Sequence, residues 1–293
     1  MYAVLGATGL NGGQAAAALR RRRLAVRAVV RDESRGGALR EMGCELAVAD
    51  IADLDSLAAA CTGVNGVFVM LPTHYDATDV LATYDRQIEK ITAALEIAKP
   101  PHVVALSAEG SEIPQGTGLI LTTRALEAAL RDTGLPTTVL RCPQFMENWR
   151  YAIEPARRDG VFPSFLTPLE RKIRMVSAID VGEAIADALE DPAESTRIRF
   201  ITGPHDYSPA DTAHVLSDLL ARDVHAVEVA RSEWMGLFTG ISGCSPDAAH
   251  LLTDMYDAFN AGKLGVEPGA GKELTGSTTL EHALAECLAT TTG

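Results

Sequence analysis

The chain has 293 residues, 47% of them hydrophobic and 22% charged, with a formal net charge of −13. That composition belongs to a chain able to bury a globular core, and no apolar run reaches the roughly 20 residues a membrane-crossing helix needs. The negative balance argues against a broad nucleic-acid surface, because phosphates would be repelled.

The run Tyr2-Ala3-Val4-Leu5 predicts a strand, and Gly6-Ala7-Thr8-Gly9-Leu10-Asn11-Gly12 follows it before a helix-forming stretch at 14–19. Strand, glycine-rich turn and helix is the order that lets backbone approach a ligand and points free N–H groups at an anion. The spacing is G-x-x-G-x-x-G, and the expected occupant is a dinucleotide pyrophosphate. Four arginines at 20–23 end the helix, where cations oppose the negative end of its dipole. Residues 24–30 read as a strand, 38–42 as a short helix, 46–49 as a strand and 54–61 as a helix. Residues 64–71 form a buried strand and 77–98 a long helix. Strand 103–106, helix 119–131 (stopped by Gly134 and Pro136) and strand 137–141 complete the first half. Regular alternation with short apolar strands implies a Rossmann-type, doubly wound parallel sheet with helices on both faces.

After Pro143 the rhythm breaks at Pro155, Pro163 and Pro168. A helix is expected from Ile179, with Asp180 as its N-cap, and a returning strand at 198–201. The remainder reads as helical, at 210–221, 232–238, 247–259 and 278–289. The expected organisation is a nucleotide-binding core over 1–150, rejoined by 172–202, and a smaller, mainly helical lobe from 151–171 and 203–293. The five cysteines are scattered and odd in number, with no C-x-x-C pair. A reduced, cytoplasmic protein without structural metal is expected, and with a strand at Tyr2 no secretory leader is expected.

The end of the second strand bears on the nucleotide. An acidic residue there bonds the ribose 2′-hydroxyl of NAD, whereas an arginine pairs the 2′-phosphate of NADP. Here the strand ends Val29-Val30-Arg31, which favours NADP(H) over NAD(H). Arg35 is a candidate second phosphate contact. Asp32 is open between a ribose contact and capping of the helix start at Glu33-Ser34. Asp50 is open between an adenine contact and capping of the helix near Asp53.

With these segments, Gly63-Val64-Asn65-Gly66-Val67-Phe68, Leu140-Arg141-Cys142-Pro143-Gln144-Phe145-Met146-Glu147-Asn148 and Val176-Ser177-Ala178-Ile179-Asp180-Val181-Gly182, the chain resembles the NmrA-like branch of atypical short-chain dehydrogenases/reductases, akin to isoflavone reductase and quinone oxidoreductase type proteins. The resemblance spans essentially the whole chain. It implies NADP(H) binding and a substrate or partner cleft made with the second lobe; the candidate cofactor contacts are Gly6, Thr8, Gly9, Leu10, Asn11, Gly12, Arg31, Arg35, Asp50, Ile51, Leu71, Pro72, Ser107, Arg124 and Pro143. It covers both reductases and redox-sensing regulators.

Short-chain dehydrogenases protonate substrate with a Tyr, assisted by a Lys four residues on and a Ser ending the preceding strand. Ser107 matches the Ser. Ile120 stands at the Tyr position and Arg124 at the Lys position. Isoleucine donates no proton, and arginine is too basic to act as an acid. The proton would then come from solvent or from the loop after the fourth strand, where His74 and Tyr75 are candidate donors and equally read as ordinary loop residues at a helix start. Phe145, Met146 and Trp149 suit the wall of a flat apolar substrate, and core packing also explains them in part. The function expected is hydride transfer to a quinone, enone or similar small electrophile. The rivals are a non-catalytic NADP(H) sensor with a protein partner and a non-redox biosynthetic enzyme.

Overall fold

The computed structural model describes residues 1–241, 243–266 and 269–291. In chain order the core consists of β1 (Tyr2–Val4), α1 (Leu10–Arg21), β2 (Val26–Val30), α2 (Gly37–Glu41), β3 (Glu45–Val48), α3 (Leu54–Cys61), β4 (Gly66–Val69), α4 (Val80–Ala98), β5 (Val103–Ala108), α5 (Ile120–Asp132) and β6 (Thr137–Cys142). Then come β7 (Gln144–Phe145), α6 (Ile153–Asp159), β8 (Val161–Ser164), β9 (Met175–Val176), α7 (Ala178–Glu190), β10 (Arg197–Thr202), α8 (Pro209–Leu220), β11 (His225–Glu228), α9 (Trp234–Ile241), α10 (Pro246–Asn260), β12 (Lys272–Thr275) and α11 (Leu280–Thr291).

The central sheet has eight strands in the order β12-β10-β6-β5-β4-β1-β2-β3, and every pair in it is parallel. The order 3-2-1-4-5-6 within it is that of a Rossmann fold. β4 and β6 are buried along their whole length, as apolar strands covered on both faces must be. One apolar layer joins the sheet to α1 and α7 through Leu19, Phe68, Leu140 and Ile185. The other joins it to α3, α4 and α5 through Leu57, Ile91, Leu95, Leu126 and Leu130. A third core fills the second lobe around Trp149, Phe162, Trp234 and Tyr256.

Two expectations are corrected here, and the capping alternative for Asp50 is overturned. Lys272–Thr275, read as part of the helical lobe, is a strand that pairs with β10 and ends the main sheet. It was hidden because it is an exposed edge with one apolar residue, Leu274. Asp180 does not cap α7. Ser177 does, accepting from the Ile179 N–H, and Asp180 instead accepts from the N–H and Oγ1 of Thr278 at 3.0 and 2.9 Å. The cap of α3 is Asp53 itself, while the Asp50 carboxylate accepts from the Ala52 N–H at 2.8 Å.

The arginine run has a structural use. Arg21 and Arg22 pair with Glu183 at 2.6 Å each, and Arg22 also meets Asp187 and Glu190 at 2.7 Å. These pairs tie the end of α1 to α7. Arg20 donates to the carbonyls of Met42 and Leu24. Among the described residues no helix is long and apolar enough to cross a membrane.

Candidate functional site

The turn after β1 is shaped by its glycines. Gly6 adopts φ +66°, a conformation L side chains rarely take. Its carbonyl accepts from the Gly9 N–H at 2.9 Å. Gly9 is the extended N-cap of α1, and no side chain caps that helix. A Cβ on Gly12 would lie 2.2 Å from the Gly6 oxygen, so the first turn of α1 rests directly on the loop. The first amides of α1 therefore remain available to an anion.

A cavity of about 410 Å³ lies over this turn. Gly6, Thr8, Gly9, Leu10 and Asn11 line it from the turn, Arg31 and Arg35 from the end of β2, Ile51 from the end of β3 and Pro72 from beyond β4. A second cavity, of about 550 Å³, shares Arg31, Ile51 and Pro72 with the first and adds Asp50, His74 and the α4 residues Thr83, Arg86, Gln87 and Lys90. The two form one groove along the C-terminal edge of β1 to β4. Asn11 Oδ1 and Gln87 Oε1 are buried in these walls without a hydrogen-bond partner. Orphaned acceptors of this kind carry a desolvation cost that a donor on a ligand would relieve. The groove fits a dinucleotide: an uncapped helix start for the pyrophosphate and two exposed arginines at the β2 end. Asp32 turns away from that use, accepting from the Ser34 N–H at 2.9 Å. The contribution of α4 was not foreseen. Arg86 and Lys90 sit one turn apart on a helix far along the chain, and only the crossover of α4 brings them over the end of β3.

The remaining expected contacts lie outside this groove. Gly12 is beneath it. Leu71 packs between the second-lobe core and the α3–α4–α5 layer. Pro143 is buried. Ser107 and Arg124 belong to a network at the end of β5. Ser107 Oγ donates to Glu127 Oε1 at 2.5 Å and meets Ser111 Oγ at 3.0 Å. Glu127 forms a two-pronged pair with Arg141, at 2.9 and 2.7 Å, and Arg141 also reaches Glu112 at 2.6 Å. Arg124 donates to the carbonyls of Ser111 and Glu112, at 3.1 and 2.8 Å. In this structure, therefore, Ser107 and Arg124 hold the loop after β5 against α5.

His74 and Tyr75 part company. His74 lines the 550 Å³ cavity with its Nε2 against the amide of Gln87. Tyr75 packs on the second-lobe core and accepts at its carbonyl from the Ser245 N–H at 2.7 Å. Burial pushes the Tyr75 hydroxyl up to about 12. Of the apolar wall expected from Phe145, Met146 and Trp149, Met146 and Trp149 are corrected, while Phe145 is only partly buried. Met146 and Trp149 are fully buried in the second-lobe core, with Trp149 edge-on to Phe162 at 5.6 Å, and Phe145 packs on the α1–α7 layer. Their spacing serves packing. Cys142 is buried, and burial raises its thiol far above the ordinary range. His205 and Tyr207 line a third cavity of about 1080 Å³ at the ends of β10 and β12. Among the described residues no group of three or more His, Cys, Asp or Glu could hold a metal.

Sequence reasoning passed over Glu109, two residues beyond Ser107. Its N–H donates to the Cys142 carbonyl at 2.9 Å, and its side chain is 6% exposed. Burial raises its carboxyl to about 7, against the opposing effect of Arg174.

The strand order and the glycine turn define a Rossmann-type α/β protein with a dinucleotide-shaped groove at the C-terminal edge of its sheet. The chain belongs to the NmrA-like family, whose profile matches residues 2–282. It is 27% identical over 259 residues to an NAD(P)H azoreductase from Xenophilus azovorans, covering 87% of this chain and 86% of that one. Its fold matches an NADPH-dependent quinone oxidoreductase from Escherichia coli, solved with NADPH, at a TM-score of 0.80 and 20% identity over the whole of both chains. It also matches a triphenylmethane reductase from Citrobacter sp. at a TM-score of 0.78 and 21% identity, covering 98% of this chain and 99% of that one.

Proposed function

We propose that this protein is an NADPH-dependent reductase that transfers hydride to a conjugated small electrophile such as a quinone, an azo compound or an enone, without a tyrosine acid at position 120. The observation that carries the reading is the groove over the uncapped start of α1, with Arg31 and Arg35 at the end of β2 and the orphaned Asn11 Oδ1 within it. Arg31 and Arg35 would pair the 2′-phosphate, and the turn amides would hold the pyrophosphate. When bound, the reduced nicotinamide supplies the hydride. The azoreductase relative supports acceptors of the delocalised kind, and such acceptors spread the developing charge without strong acid assistance.

The test is oxidation of NADPH followed at the nicotinamide absorbance band, with a panel of azo dyes, quinones and enones. Turnover with at least one class is expected. The sensor reading draws on the internal use of Ser107 and Arg124. Tight NADPH binding with no oxidation by any acceptor would replace the reductase reading with it.

A further inference from the structure

We propose that Arg86 of α4 recognises the adenine base of the bound nucleotide, as a planar cation against the face of the ring. The proposal rests on the nucleotide site of the reductase reading above. That reading fills the 410 Å³ cavity with the pyrophosphate and the 2′-phosphate. The base is carried on the sugar carbon next to the one that bears the 2′-phosphate, so it enters the volume that adjoins Arg31. That volume is the 550 Å³ cavity, which shares Arg31, Ile51 and Pro72 with the first.

The two cavities differ in charge. Among the described residues no Asp or Glu lines the 410 Å³ cavity, where Arg31 and Arg35 stand, and such a wall suits a phosphate. In the 550 Å³ cavity Asp50 and Glu89 offset Arg86 and Lys90. Beyond Arg31, therefore, the groove suits a neutral ring better than a second phosphate. Its sheet side is apolar at Ile51, Ala52 and Pro72, and its helix side carries the two α4 cations. A purine fills such a slot with one face on apolar side chains and the other under a cation.

Of the two α4 cations, Arg86 is the one held in place. Its Nη2 donates to Thr83 Oγ1 at 3.0 Å, and that hydroxyl donates to the Asp79 carbonyl at 2.7 Å. Asp79 is itself the N-cap of α4, accepting from the Ala82 N–H. One prong of the guanidinium is thus fixed to the helix start, on the cavity wall that Thr83 also lines. Among the described residues Arg86 makes no ion pair, so no carboxylate draws it from the cavity. Lys90, one turn further, offers a compact, strongly hydrated ammonium without a flat face, whereas a guanidinium is planar, weakly hydrated and stacks on aromatic rings.

The experiment is calorimetric titration of wild type, Arg86→Ala and Arg86→Lys with NADPH, NADH and adenosine 2′,5′-bisphosphate, with a thermal melt of each variant. Arg86 is exposed on a helix, and Ala and Lys are both good helix formers, so both variants should melt as wild type does. Arg86→Ala should weaken all three ligands by the same factor, roughly two- to thirtyfold, leaving the preference for NADPH unchanged. Arg86→Lys keeps the charge without the plane and should regain only a small part of the loss. A loss confined to NADPH and the bisphosphate, with NADH unaffected, makes Arg86 a 2′-phosphate ligand and overturns the proposal. Unchanged affinities in Arg86→Ala overturn it, as does full affinity in Arg86→Lys. Should Arg86→Ala not fold, the Arg86→Lys titration decides alone. Wild type that binds none of the three ligands overturns the nucleotide groove and this proposal together. Wild type that binds NADPH but oxidises it with no acceptor overturns the reductase reading alone, and the titrations then decide the role of Arg86.

Discussion

Arg141 is the hub of the charge buried between β5, α5 and β6. Its side chain and that of Glu127 are 7% and 4% exposed. Two ions taken this far out of water depend on their mutual pairing, which Glu112 and Ser107 extend, and removing one leaves the other under-compensated. We expect Arg141→Leu to destabilise the fold by about 3–5 kcal/mol, read as a fall in the denaturant midpoint. Adding Glu127→Leu should return part of that loss, because the stranded carboxylate goes with it. Equal midpoints for wild type and Arg141→Leu would show that the network carries no stability. The sequence places Ser107 and Arg124 in the short-chain dehydrogenase pattern without showing what they bond. Their bonds to Glu127, Ser111 and Glu112 depend on partners that only the fold brings together.

At the scale of elements, α1 and α7 pack closely against one another. A Cβ on Gly182 would stand 2.7 Å from the Gln14 carbonyl carbon. Gly182→Ala should therefore cost about 1–3 kcal/mol, as overpacking does. Gly236→Ala in α9, where nothing stands within 4 Å, should be neutral or stabilising by up to about 1 kcal/mol. Thermal melts of the two variants check the contrast, and a Gly182→Ala protein as stable as wild type would show that the contact is loose. β1, β4 and β5 are readable because each is a short, largely apolar run with a Gly or Pro a few residues beyond its end. α3 falls on the residues expected, and β1, β2, β4, β5 and β6 lie within a residue or two. β12 was not readable, since an edge strand with one inward residue has no period to detect. The groove was readable on the side made by consecutive residues, Gly6 to Asn11 and Arg31 to Arg35. The side made by α4 was not, because its position depends on a crossover. Met146 and Trp149 show the opposite failure. An apolar run near a ligand edge looks the same in sequence whether it faces the ligand or the core.

For the molecule as a whole, the sheet and the glycine turn meet at one edge, where the proposed dinucleotide would set its 2′-phosphate against Arg31. Charge distribution makes this a specific demand, because a chain of formal net charge −13 must place cations locally to attract a nucleotide with several phosphates. A charge-assisted bond of about 1.5–3 kcal/mol corresponds to roughly ten- to a hundredfold in affinity. The most direct measurement is calorimetric titration of wild type and Arg31→Ala with NADPH and with NADH. The account predicts that wild type binds NADPH more tightly by about that factor, and that Arg31→Ala loses the preference while its NADH affinity is unchanged. Equal affinities for the two nucleotides in wild type, or an Arg31→Ala protein that keeps its NADPH affinity, would contradict it.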